Sequence, residues 1–316
     1  MNTFFSRTHR SKTFLPTSFV LLSMTSSQAG SAVAKGLFPA LGPVGIVGLR
    51  VAWAALILLI IWRKHLREKY GWKDYGLAAL FGLALGSMNL SFYLSMSQIP
   101  LGITVTIEFL GPLTLAIVLS RKLLDLLWVL FALCGVLLLA PIDGLGGTSL
   151  SLLGIGLALL AGTFWVCYIL LSAKVGSIFP GGVGLAFATF SAALVLLPLG
   201  IFQARSAMLN PLLLLAGAGV GLLSTAIPYS LEMEALRRLP SRVFSILLSL
   251  SPAIASLMGF LILHERLNWQ DLIAITLISA ASVGVILFQK GSVPASHTIE
   301  LAEVSTLRER EGVEAE

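Results

Sequence analysis

The sequence predicts an all-α polytopic membrane protein, with ten transmembrane helices arranged as two inverted five-helix repeats. Three observations carry that prediction. Hydrophobic residues make up 57% of the 316-residue chain and charged residues 11%, where a soluble domain carries about 25% charged residues. Apolar runs of about 20 residues recur from end to end, each long enough to cross a hydrocarbon core of about 30 Å. Short motifs in the first half also return 139 or 140 residues later.

Hydropathy and helix punctuation place the spans at 16–34, 43–62, 74–96, 101–119, 123–140, 150–172, 182–202, 211–233, 241–263 and 269–289. The first follows Arg7, Arg10 and Lys12, and small residues around Ala29–Ala34 give it some likeness to a secretory signal. The repeat needs this segment as a helix, so it is read as retained. Its Ser23–Ser31 run, with Thr25 and Gln28, is unusually polar and is expected to face a cavity or another helix. The second span is almost wholly apolar apart from Arg50. In the third, Gly82–Gly86 favours close helix packing, and Asn89 and Tyr93 follow four residues apart on one face. The fourth carries Glu108. Cys134 and Cys167 fall in the fifth and sixth without metal-ligand spacing, and read as inert packing residues. Trp165 and Tyr168 share a face of the sixth. In the eighth, Pro228-Tyr229-Ser230 precedes Glu232, and the proline frees a backbone carbonyl that can line a cavity. Connections such as 98–100 and 120–122 leave no room for a soluble domain. The resulting organisation is a basic cytoplasmic N-terminus (1–13), a first five-helix repeat (14–140), a second (150–289), and a cytoplasmic polar tail (290–316). The tail has too few large apolar residues to build a core.

Lys and Arg placement sets the orientation. With the N-terminus inside, 17 of the 21 basic residues fall on the inner side, and only Lys35, Arg205 and Arg266 on the outer side. Arg50 lies within a span. Both termini are therefore expected in the cytoplasm.

The repeat is visible in several places. Pro100 and Pro112 are matched by Pro240 and Pro252, and Ala34-Lys35 by Ala173-Lys174. Val44-Gly45 recurs as Val183-Gly184. Five spans per half force the second copy into the membrane upside down, and inverted repeats are typical of alternating-access carriers that bind solute near the midplane.

Candidate site residues follow from charge at depth. An ionisable side chain at the bilayer centre costs about 2.5–3.5 kcal/mol on insertion scales, so such residues line a polar path or pair with each other. Glu108 and Arg50 each lie seven residues from the outer start of their spans, about 10 Å down. That matched depth permits either a structural ion pair or a shared zwitterion site, the carboxylate taking an ammonium and the guanidinium a carboxylate. Glu232 is a second carboxylate, which could instead pair with Arg237 or Arg238. Asn89, Tyr93, Trp165, Tyr168 and Tyr229 would suit a small polar ligand if they face the same cavity. Enzyme signatures are absent: His264 lacks a partner at metal spacing, no phosphate-binding Gly-rich loop occurs, and no serine sits in a nucleophile elbow. No cofactor or metal is expected. A channel is the main rival to a carrier.

Several motifs carry a family resemblance over about residues 14–289. They are Gly86-Ser87-Met88-Asn89, Phe92-Tyr93-Leu94-Ser95, Pro100-Leu101-Gly102-Ile103 leading to Glu108-Phe109-Leu110-Gly111-Pro112, and Leu223-Ser224-Thr225-Ala226-Ile227-Pro228-Tyr229-Ser230-Leu231-Glu232-Met233 with Leu239-Pro240-Ser241-Arg242. Together they resemble the EamA type of the drug/metabolite transporter superfamily, and within it the threonine and homoserine exporters of bacterial inner membranes. The resemblance implies export of small neutral amino acids, driven by inward proton movement. Other zwitterions, amphiphilic amines or a passive facilitator are the alternatives. Expected partners are the amino-acid solute, protons and the lipid bilayer, with homodimerisation left open and nucleic acid excluded. One position departs from the family pattern: Ser251 precedes Pro252 where that branch often has Glu.

Overall fold

Apolar runs interrupted by proline, glycine and short polar loops divide the chain into thirteen α-helices among the described residues. A computed structural model describes residues 5–120, 125–139, 150–236, 238–239 and 241–288. The helices are α1 (Phe5–Gly36), α2 (Phe38–Ile61), α3 (Trp72–Met96), α4 (Leu101–Glu108), α5 (Leu110–Ser120), α6 (Asp125–Leu139) and α7 (Leu152–Gly176). They continue as α8 (Val183–Ala204), α9 (Pro211–Gly221), α10 (Ile227–Leu236), α11 (Ser241–Leu248), α12 (Ser251–Leu263) and α13 (Trp269–Phe288). Among the described residues there is no strand. Five stretches are long and apolar enough to cross a membrane: Phe38–Ile61, Trp72–Met96, Leu152–Gly176, Val183–Leu209 and Val243–Leu263.

Three runs expected as single helices are each built from two, and proline explains all three breaks. Pro112 lacks the N–H that would bond the Glu108 carbonyl one turn earlier, so α4 ends at Glu108. Pro252 removes the donor for Leu248 in the same way, and α11 ends there. Between α9 and α10 lies a π-helical turn, Leu222–Ala226, in which the Ile227 N–H reaches back to the Leu222 carbonyl. In that register Pro228 cannot serve Leu223. The freed Leu223 carbonyl does not line a cavity as expected; Ser26 Oγ of α1 donates to it at 2.8 Å. A serine re-satisfying a proline-freed carbonyl is a common remedy in lipid. The first helix also begins at Phe5, earlier than the expected start at 16, because nothing before Pro16 breaks a helix.

The most extensive helix pairings are α2 on α8, α3 on α7 and α8, α6 on α13, α1 on α10 and α12, and α4 on α12 and α7. The largest core lies between α1, α2, α3 and α8, with Leu41, Ile46, Phe92, Tyr93 and Met96 buried together. Outward faces carry Leu56, Ile60, Leu194, Leu212 and Phe260, all exposed. An apolar exterior of this extent suits lipid rather than water. Cys134 is on that exterior, contrary to the packing role expected of it, while Cys167 is part-buried, and both thiols are free.

Small residues set the closest approaches, as the Gly82–Gly86 run suggests. A side chain at Gly82 would collide with the Ala188 carbonyl of α8. Gly111 of α5 meets Gly162 of α7 backbone to backbone, and a Cβ on Gly162 would stand 2.7 Å from the Glu108 carbonyl oxygen. Gly162→Ala should therefore destabilise the bundle. Helix propensity favours alanine by up to about 1 kcal/mol, but overpacking against backbone costs about 1–3 kcal/mol and should win. Thermal melting in detergent checks this, with Gly156→Ala on the same helix as control. Gly156 has open space around it, so its melting point should hold or rise.

Candidate functional site

The break after Glu108 places that side chain at the centre of the bundle, beside a cavity of about 200 Å³. Seven helices supply its polar lining, α1 and α12 among them. Arg50 comes from α2, Asn89 from α3, Glu108 from α4, Trp165 from α7 and Glu232 from α10. Five of the residues singled out in the sequence thus share one cavity. Glu108 and Glu232 are 9% and 8% exposed. Ser23 of α1 donates to Glu232 Oε1 at 2.6 Å, tying α1 to α10.

Arg50 is held from α3. Its Nη1 donates to Asn89 Oδ1 at 3.0 Å and to the Tyr93 hydroxyl at 3.2 Å. The guanidinium carbon also lies 5.5 Å from the Tyr93 ring centroid, within cation–π range. Asn89 Nδ2 in turn donates to the Leu85 carbonyl at 2.8 Å, so the amide is fixed at both ends. Asn89 and Tyr93 therefore orient the arginine. A guanidinium carries five N–H donors in a rigid fork, and with Nη1 engaged the remaining edge is available to a carboxylate. The ion pair between Glu108 and Arg50 that matched depth permits does not form: no nitrogen–oxygen contact of ion-pair length joins them among the described residues. Depth brought the two to one cavity, while the α3 amide and phenol turned the guanidinium to themselves. A second void of about 30 Å³, bounded by Arg50, Asn89, Thr189 and Thr225, flanks the same group.

Of the α7 aromatic pair, one reaches the cavity and one does not. Trp165 reaches the cavity and meets Phe109 edge-on, with ring centroids 5.1 Å apart. Tyr168, one turn on, turns into a separate core and packs on Phe81 at 5.1 Å. The side chains of Tyr229, Glu234, Arg237 and Arg242 and the tail 290–316 lie outside the described residues.

The polar Ser23–Ser31 run, expected to face a cavity or another helix, contributes lining residues that the sequence reading did not name one by one as site residues. Met24, Ser27, Gln28 and Ser31 line the cavity from α1. Their spacing puts them on one helical face, and that spacing within the polar run was the available signal. Met88, Phe92, Val105 and Phe109 give it apolar walls, and Leu248 and Ser251 complete it from the α11–α12 break. Ser251, the position that departs from the family pattern, is thus part of the lining.

At one end of the bundle, three elements meet in an ionic knot. Lys35 Nζ, at the end of α1, donates to Glu265 Oε1 at 2.5 Å and to the Ile99 carbonyl at 2.9 Å. Glu265 Oε2 accepts the Leu101 N–H, the first donor of α4, at 2.9 Å. A carboxylate at a helix N-terminus also gains from the helix dipole.

The model of the EamA-like transporter family matches residues 152–287. The threonine/homoserine exporter RhtA of Salmonella typhimurium (strain LT2) is 41% identical over 281 residues, covering 89% of this chain and 94% of that protein. The threonine/homoserine exporter RhtA of Escherichia coli (strain K12) is 42% identical over 275 residues, covering 87% and 92%. The chain belongs to the EamA-like transporter family. One solved structure, described only as a crystal structure of a protein, shares the fold of this EamA-like transporter with a TM-score of 0.55. It is 18% identical and covers 89% of this chain and 98% of its own. Membership makes the chain a polytopic membrane transporter, not an enzyme.

Proposed function

We propose that this transporter exports small neutral amino acids of the threonine and homoserine kind across a bacterial inner membrane, by proton antiport with alternating access. The observation that carries the proposal is the cavity itself. Two carboxylates and one oriented guanidinium share a volume of about 200 Å³, below the usual range of about 300–1,000 Å³ for small-molecule sites. That size favours a small zwitterion over a drug-like amine. The guanidinium fork takes the solute carboxylate, and Glu108 takes its ammonium. Glu108 holds either that ammonium or a proton, which makes the two exclusive and couples their movements. The exporters named for threonine and homoserine are 41–42% identical to this chain over 275–281 residues, which supports the same solute class.

In this reading residues 14–140 and 150–289 are two five-helix halves of opposite orientation, ten crossings in all, with both termini cytoplasmic. Glu108 ends α4 and Leu248 ends α11, the same 140-residue offset as Pro112 and Pro252, and both line the cavity. The packing of α2 on α8, α4 on α12 and α6 on α13 also brings together spans that correspond across the two halves in this reading. The halves rock about the cavity. The Lys35–Glu265 knot lies at the end that the basic residues mark as outer, and holds that end shut.

The test is efflux from proteoliposomes loaded with labelled threonine, homoserine or an amphiphilic amine, with and without a pH gradient. Gradient-driven loss of the two amino acids is expected. Failure of all neutral amino acids while the amine is carried would overturn the solute class. Flux that never concentrates solute would replace antiport by a facilitator.

A further inference from the structure

We infer that Gln28 is a specificity-determining residue that recognises the side-chain hydroxyl of the solute. The inference rests on the amino-acid export reading above and sharpens it. Gln28 belongs to the α1 face that lines the cavity. Its Oε1 is buried and has no hydrogen-bond partner. Buried polar groups are nearly always paired, and an orphan in a native structure calls for a ligand or a specific role.

The chemistry of the lining narrows what that ligand group is. Arg50 and Glu108 answer the α-carboxylate and the α-ammonium of any amino acid, and Glu232 is engaged by Ser23. What distinguishes threonine and homoserine from their apolar analogues is one hydroxyl. A hydroxyl is both donor and acceptor, and a primary amide offers both an acceptor oxygen and donor N–H groups. The match therefore survives either orientation of the amide. Ser27, Ser31 and Ser251 also line the cavity, but among the described lining residues Gln28 alone carries a buried side-chain polar atom without a partner. A site that leaves a buried polar group unpaired discriminates strongly against the solute lacking the partner.

The deciding probe is 2-aminobutyrate, the deoxy analogue of both threonine and homoserine. In efflux from proteoliposomes, the unaltered protein should favour the hydroxylated solutes by about tenfold, the effect of one well-made hydrogen bond to a buried partner. Gln28→Met keeps length and bulk but removes the amide, and should reduce the preference to about twofold or less, with 2-aminobutyrate gaining. Gln28→Asn keeps the amide one methylene further back. It should move the preference from threonine toward homoserine, whose hydroxyl reaches further. If the unaltered protein exports all three solutes equally, or if Gln28→Met slows all three alike, the inference is overturned while amino-acid export stands. If none of the three is exported, both fall together.

Discussion

Glu108→Gln is expected to fold and insert normally and to lose concentrative export. The substitution keeps the shape and one acceptor but removes the charge and the exchangeable proton. One charge moving down a 100 mV potential is worth about 2.3 kcal/mol, which supports a solute gradient of about fiftyfold by the rule of tenfold per 1.36 kcal/mol. That gradient should vanish, while slow solute-for-solute exchange persists because a neutral site can still cycle. The geometry separates this outcome from a structural one. Removing one member of a buried ion pair costs about 3–5 kcal/mol, and a Glu108–Arg50 pair would have shown that loss on melting. No such pair is made, since Arg50 is held by Asn89 and Tyr93. The melting temperature of Glu108→Gln should therefore match or exceed that of the unaltered protein. A folded variant with normal gradient-driven export would remove Glu108 from the mechanism.

The parts of this site that could be read in the sequence were those with a steep energetic signature. Glu108, Arg50 and Glu232 stand out because charge at membrane depth is costly, and each lines the cavity. Rise per residue gave the depth of Glu108 and Arg50 but not the direction of their side chains. That direction depends on which neighbour offers the better hydrogen bond, and α3 outcompeted α4. Tyr168 failed for a related reason. A spacing of three shares a face only approximately, and here Trp165 and Tyr168 fall on either side of the boundary between cavity and core. Gln28 left a weaker trace because a neutral amide in a serine-rich helix has many bland explanations; only its missing partner makes it informative. The prolines at 112 and 252 were read as markers of a repeat, while the same lost N–H groups also break α4 from α5 and α11 from α12. Those breaks bring Glu108 and Leu248 to the cavity.

Breaking the Lys35–Glu265 knot should open the cavity to the outside. A reporter cysteine at Ser27, in a protein with Cys134 and Cys167 replaced by serine, lines the cavity. With the knot intact, an impermeant thiol reagent outside right-side-out vesicles should reach it slowly. Glu265→Gln retains an oxygen for the Leu101 N–H but strips Lys35 of its counter-ion. Hydrogen bonds to charged groups contribute about 1.5–3 kcal/mol, and the lower figure suits a pair whose side chains are 20% and 14% exposed. A shift of that size in a two-state equilibrium changes the outward-open population about tenfold, and the labelling rate should follow. Lys35→Gln should act alike, because either change removes the same attraction. Arg266→Gln removes an exposed charge from the same end and should leave the rate unchanged. Exchanging the partners, Lys35→Glu with Glu265→Lys, restores attraction but turns an ammonium toward the Leu101 N–H, so recovery should be partial. Unchanged labelling in both single variants would show that the knot is structural only. Faster labelling from the opposite side, in inside-out vesicles, would instead reverse the orientation on which the outward assignment of this gate depends.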